Sequence, residues 1–285
     1  MFFATIFFLL VKIGVKLLPH IPAMEIVFFR CLISFLISFI ILKSQGIYIF
    51  GKNKFLLFMR GIFGTIGLYL YFVIIQNIPL ATASTIIYLT PVFTTLIGVF
   101  VLKEKMNFLQ WSCLFFAFGG IILIQGYDER VTINYLVLGL LGSFCAGCAY
   151  NIIRYLRKKE HSLVLMIYFP MIAFPIGGFI SYFNWVVPSL SDLSILIGIG
   201  IVTQFAQYFM TKSFQSDKVS TVSIISYTEI LFVIAIGYTF FEESFNFLTY
   251  LGMFMVTSSV IFTILLSRTN SHIKKSIIEK KAKIL

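Results

Sequence analysis

Three ionisable residues, Lys12, Arg30 and Glu229, stand well inside long apolar stretches of the chain. A charge at the centre of a bilayer costs at least about 2.5–3.5 kcal/mol, so such side chains face a wet cavity or one another. Counted at about 1.5 Å per residue from the ends of their stretches, Lys12 and Arg30 fall at similar depth and Glu229 lies near the middle. Glu229 could take up a proton in one conformation and pair with a cation in another, which would couple a proton to movement of a ligand. It could instead pair permanently with Arg30 or with a cationic part of that ligand. Two bases against one acid leave a positive balance, so the ligand is expected to be zwitterionic or negatively charged, with Arg30 as its counter-charge. Lys12 has a competing use, because its stem could carry the ammonium outward beside Lys16, one turn on.

Polar tips at helical spacing suggest the rest of a cavity wall. Tyr71, Tyr88, Tyr150, Asn151, Gln204, Gln207 and Tyr227 all lie in apolar stretches, where a buried polar tip needs a partner or water. Pro91 removes a backbone hydrogen bond from the middle of its stretch and should kink it toward that cavity. Other chemistry is poorly supplied. Cys145 and Cys148 have metal-ligand spacing but no second pair, and they share their stretch with Gly139, Ser143 and Gly147, a small-residue face suited to helix packing. His20, His161 and His272 fall between stretches or in the tail, and no nucleophile has a nearby base. No metal, no cofactor and no enzymatic activity are expected.

The elements that must position these residues are membrane helices. Hydrophobic residues make up 59% of the 285 positions and charged residues 12%, about half of what a soluble domain carries. Ten apolar stretches, 2–18, 23–42, 55–75, 81–102, 108–125, 132–153, 163–183, 193–211, 219–241 and 248–266, approach the ~20 residues that span a bilayer, and none alternates with the period of a β-barrel strand. The first lacks charges before its apolar run and is read as a retained helix rather than a signal peptide. Most of the 22 lysines and arginines gather on the side of the amino terminus, which places both termini in the cytoplasm. A multi-pass location in a bacterial inner (plasma) membrane is expected. The net charge of +11 then needs no nucleic acid: basic residues at inner helix ends and in the tail 268–285 suit anionic lipid.

The chain also repeats itself. One fixed offset carries Gly61 onto Gly200, Tyr69 onto Tyr208, Tyr88 onto Tyr227, Gly98 onto Gly237 and Asn107-Phe108-Leu109 onto Asn246-Phe247-Leu248. Chance apolar similarity would not keep glycine and asparagine in register. The expected architecture is all-α and integral to the membrane, with two repeats, 1–127 and 132–267, of five helices each. Five is odd, so the second copy enters the membrane inverted, an arrangement used for alternating access.

These residues carry a resemblance to the drug/metabolite transporter superfamily, in its EamA-type branch. The matching features are the segment from Glu25 to Arg30, Arg60-Gly61, the segment from Pro79 to Ala83, Thr90-Pro91 and Lys103-Glu104. Where that branch usually pairs Glu with Pro in its ninth helix, Glu229 is followed by Ile230. The resemblance implies a secondary carrier of a small organic metabolite, driven by protons or by a counter-substrate, with the first, third, fourth, sixth, eighth and ninth stretches around a central cavity. A channel or a lipid scramblase is the alternative, and oligomeric state is left open.

Overall fold

The computed structural model describes residues 2–102, 108–156, 159–216 and 229–282. Every regular element among them is a helix: α1 (Phe2–Lys16), α2 (Ala23–Ser44), α3 (Lys54–Asn77), α4 (Leu80–Ile87), α5 (Thr90–Leu102), α6 (Phe108–Tyr127), α7 (Ile133–Leu156), α8 (Ser162–Tyr182), α9 (Leu190–Ser216), α10 (Glu229–Phe240) and α11 (Phe247–Ala282). Among the described residues, six segments are long and apolar enough to cross a membrane, and three shorter apolar helices, Trp111–Ile124, Glu229–Phe240 and Phe247–Thr263, accompany them. Large apolar side chains such as Phe115, Phe179 and Phe254 point outward, as they do where the solvent is hydrocarbon.

The punctuation is local. Pro22 and Pro79 stand immediately before α2 and α4, where the missing N–H is no loss. Gly46, just past α2, has φ 65°, a left-handed conformation that glycine adopts without strain. The fourth apolar stretch, read as one kinked helix, is two: α4 ends at Ile87, Tyr88 and Leu89 form a turn, and α5 restarts at Thr90 with Pro91 in its first turn. The last helix runs well past the apolar stretch to Ala282, because neither Gly nor Pro follows Gly252.

Glycines let the helices approach closely. A methyl group on Gly120 would meet the Gly252 carbonyl oxygen at 2.7 Å, and one on Gly252 would meet the Gly120 oxygen at 2.6 Å, so α6 and α11 cross backbone to backbone. Gly139 packs on Ile86, Gly147 packs on Phe93, and the Ser143 hydroxyl donates to the Ile86 carbonyl, seating the small face of α7 against α4 and α5. Gly252→Val is expected to destabilise by about 1–3 kcal/mol, the usual cost of overpacking. Gly198, with nothing within 4 Å of an added methyl, supplies the control: Gly198→Ala should leave the melting temperature in detergent unchanged or raised, through helix propensity.

Contacts between the halves obey the sequence offset. Gly61 packs on the Ile172 side chain, and its offset mate Gly200 packs on Ile33, the mate of Ile172. Gly64 packs on Phe169, while Thr203, the mate of Gly64, accepts a hydrogen bond from Arg30, the mate of Phe169. Reciprocal pairing, with i meeting j and j meeting i, is the signature of a two-fold relation.

Candidate functional site

The Lys12 ammonium on α1 lies 2.8 Å from Glu229 Oε1 at the start of α10, and each side chain is only 7% exposed. Tyr88, in the turn between α4 and α5, donates its hydroxyl to Glu229 Oε2 at 3.2 Å. The broken helix therefore aims a phenol into the site. Lys12 also donates to Ser84 Oγ at 3.4 Å and sits 5.5 Å from the Tyr88 ring centroid and 5.8 Å from that of Tyr71. The Tyr71 hydroxyl faces Lys12 and Ser84 without closing a hydrogen bond of ordinary length. One carboxylate, two ring faces and a hydroxyl thus surround the ammonium, which partly offsets the loss of water. Lys12 does not reach the surface with Lys16, and Glu229 does not pair with Arg30, because the ammonium is nearer and takes the carboxylate.

The matching seam on the other side of the two-fold is neutral. The offset carries Lys12 onto Asn151 and Thr90 onto Glu229. Asn151 on α7 donates to the carbonyls of Thr94, at 2.9 Å, and Gly147, at 3.1 Å, so it stitches α7 to α5. Pro91 stands one residue beyond Thr90. In this chain, then, only one of the two related seams carries charge among the described residues.

Arg30 belongs to a second constellation. Arg30, Cys31, Ser34 and Ser38 of α2, Arg60 of α3, Met166, Phe169 and Pro170 of α8, and Thr203, Gln204 and Gln207 of α9 line a cleft between the halves. The Arg30 Nε donates to Thr203 Oγ1 at 3.2 Å, and Gln204 donates to Ser38 Oγ at 3.1 Å. Both guanidiniums flank the Phe169 ring, Arg60 at 5.0 Å and Arg30 at 5.9 Å, and Arg30 also lies 5.4 Å from Phe72. Tyr150 on α7, about half exposed, is within electrostatic reach of both. Ser38 and Gln207 lie nearer than Arg30 and Thr203 to the end of the bundle where α2 finishes and α3 begins, so the cleft extends toward that end.

Polar contacts lace the opposite end beside a second cavity of about 180 Å³, lined by Pro22, Tyr69, Gln76, Ser181 and Asn184 among others. Lys16 donates to the Ile78 carbonyl at 2.6 Å and lies 3.5 Å from Glu243, whose two oxygens each accept from the Leu80 N–H at 2.9 Å. Gln76 donates to the carbonyls of Leu18 and Ile21, and Arg130 bridges Asp128 and the Ser244 carbonyl.

The structure thus divides the expected site. Lys12, Tyr71, Tyr88 and Glu229 form one cluster, and Arg30, Gln204 and Gln207 line the cleft, which Tyr150 does not. Asn151 and Pro91 shape a seam, and Tyr227 lies outside the described residues. The charged cluster lies on the first, third, fourth and ninth stretches, whereas the cleft has other walls. The second and seventh stretches (α2 and α8) line it together with the third and eighth (α3 and α9), because Gly61, Gly64 and Gly200 draw α8 and α2 inward. Arg60, named from the sequence only in the Arg60-Gly61 pair, joins the cleft as well. Its signal was depth: it stands in the second turn of a 24-residue apolar helix. Among the described residues no cluster of His, Cys, Asp and Glu could hold a metal.

Residues 1–126 and 133–265 each match the model of the EamA-like transporter family. The pseudopaline exporter CntI of Pseudomonas aeruginosa (strain UCBPP-PA14) is 30% identical over 251 residues, covering 87% of this chain and 87% of that protein. The S-adenosylmethionine uptake transporter of Rickettsia prowazekii (strain Madrid E) is 23% identical, over 86% of this chain and 84% of its own length. Solute carrier family 35 member G1 of Mus musculus is 27% identical, over 83% and 69%. A solved crystal structure shares the fold with a TM-score of 0.63 at 14% identity, covering 94% of this chain and 96% of that one. With both halves matched across nearly its whole length, the chain belongs to the EamA-like transporter family.

Proposed function

We propose that this multi-pass membrane transporter is a secondary active carrier of a small organic metabolite, working by alternating access between two inverted repeats, 1–127 and 132–267, of five spans each. The observation that carries the reading is the reciprocal set of contacts, Gly61 on Ile172 with Gly200 on Ile33. Two halves joined through equivalent contacts can rock between two arrangements of similar energy, opening first one end and then the other. The polar lacing at one end and the cleft reaching toward the other match one such arrangement. The relatives bearing transporter names move pseudopaline outward and S-adenosylmethionine inward by those names, which supports a small polar solute and leaves the direction to experiment.

Two measurements test this. Tags at the C-terminus and in the 157–160 loop should be accessible only from the cytoplasm, and tags in 186–192 only from outside; a 157–160 loop on the outside would overturn the inverted arrangement. Comparing the metabolites of cells with and without the protein, followed by uptake into proteoliposomes, should then reveal a solute whose uptake saturates and is accelerated by unlabelled solute on the far side. Flux without saturation or countertransport would indicate a channel instead.

A further inference from the structure

Granted that the chain carries a metabolite, we propose that Arg30 and Arg60 together form an anion clamp, and that the transported molecule presents to it carboxylate or phosphate oxygens bearing about two negative charges. Among the described residues, the lining of the cleft between α2, α3, α8 and α9 holds two guanidiniums and no acid. Among the described residues, the ionisable groups within electrostatic reach of Arg30 are Cys31, Tyr150 and Tyr71, and those of Arg60 are Tyr150 and Cys31. None of these is a carboxylate. Glu229, the acid of the neighbouring cluster, is committed to Lys12 at 2.8 Å.

Donors are also left over. Arg30 is 5% exposed, yet its Nη1 has no hydrogen-bond partner, and neither Nε nor Nη1 of Arg60 has one. A buried guanidinium N–H left unpaired costs more than an ordinary orphan, because the group is charged. A protein has little structural reason to turn two such forks onto one ring inside a membrane. The purely structural alternative, arginines serving as packing, explains their stacking on Phe169 and Phe72 but not the unused N–H groups.

Orientation adds to this. Arg60 starts close enough to the end of α3 for its long side chain to reach the surface. Instead its guanidinium turns inward over Phe169, with Nη1 beside Gly64, where a side chain larger than hydrogen would crowd the ring. The Arg30 Nε–Thr203 bond and the Phe169 ring fix the two forks in the wall of one cleft. Planar forks that offer several N–H groups suit the oxygens of carboxylate or phosphate, which they can grip in pairs. Ser34, Ser38, Gln204 and Gln207 extend the polar wall toward the cleft mouth, while Met166 and Pro170 give it an apolar side. An organic anion with a further polar portion fits that lining better than a bare inorganic ion does. The cleft is narrow: about 20 Å³ of it is wide enough for water, so the anion enters as the two halves separate and its charge then draws them together.

The test uses the full chain purified in detergent, at constant ionic strength set with sodium chloride. The probes are glutarate and inorganic phosphate, with choline and glucose as cationic and neutral controls. Glutarate, phosphate or both should raise the melting temperature with saturation, and the controls should not; the stronger anion identifies the group recognised. Arg30→Gln and Arg60→Gln should each raise the half-saturating anion concentration about ten- to a hundredfold, as expected for a lost charge-assisted contact. Because each substitution removes an uncompensated buried charge, the anion-free melting temperature should stay the same or rise, which a purely structural arginine would not allow. Should Arg30→Gln not fold, Arg60→Gln and Arg60→Lys carry the test, the lysine retaining charge but losing the fork and giving an intermediate response. An unchanged anion response in Arg60→Gln, or no stabilisation by either anion beyond chloride, overturns the clamp. Uptake of a cationic or neutral metabolite with normal kinetics in Arg60→Gln proteoliposomes would also overturn it, while leaving the carrier reading intact.

Discussion

Lys12→Met and Glu229→Gln should each sharply reduce the yield of folded protein, and the double variant Lys12→Met/Glu229→Gln should recover most of it. Breaking a buried ion pair by removing one partner strands a charge and costs about 3–5 kcal/mol, whereas replacing both members is often neutral. The surroundings favour recovery, since Tyr88 can still donate to the amide oxygen at position 229, and Met at 12 lies against the rings of Tyr71 and Tyr88, where its sulfur packs well. Thermal unfolding in detergent, read by size-exclusion chromatography of a fluorescent fusion, measures all four proteins. Single variants as stable as the wild type would mean that water reaches the pair and screens it. The double variant should also lose gradient-driven accumulation if the pair does more than hold α1 to α10, so the comparison of folding with flux separates a strut from a working part.

The fold was legible in the sequence wherever the solvent dictated it. Apolar stretches of near-spanning length marked the helices, and the constant offset from Gly61 to Gly200 marked the duplication; both signals are properties of one chain read in order. The break at Tyr88 and Leu89 was legible only as a kink at Pro91, because a proline says that the hydrogen-bond ladder fails nearby, not on which side the helix restarts. Lys12, Arg30 and Glu229 announced themselves by the cost of their burial. Who pairs with whom was a matter of azimuth: Lys12 and Arg30 have similar depth, and nothing in the sequence reports that α1, not α2, turns its charge toward α10. Arg60 hid for a related reason, since an arginine near a helix end reads as a surface anchor until the packing of Phe169 shows it bent inward. The unequal seams, Lys12 with Glu229 on one side and Asn151 with Thr94 on the other, emerge only when the offset is applied to contacts rather than to letters.

That inequality points to where a driving ion would act. Of the two related seams, the one holding Glu229 is an ion pair while the one holding Asn151 is neutral, so a driving proton that acts on that pair would loosen α1 from α10 without disturbing α7 against α5. We expect Glu229→Gln to abolish accumulation driven by a pH gradient while preserving exchange of labelled for unlabelled solute, because exchange needs the halves to rock but no net proton movement. Where the single variant yields too little protein, the double Lys12→Met/Glu229→Gln carries the same prediction, since it lacks the same titratable carboxylate without stranding the ammonium. Both assays use proteoliposomes loaded with the solute that the metabolite comparison identifies. Undiminished gradient-driven accumulation in either variant would sink proton coupling through Glu229. Loss of exchange as well, in protein that melts normally, would mean that Glu229 contacts the solute or that the Lys12 pair forms part of its path. The two outcomes differ because a coupling group is needed only when transport runs uphill, whereas a binding group is needed on every passage.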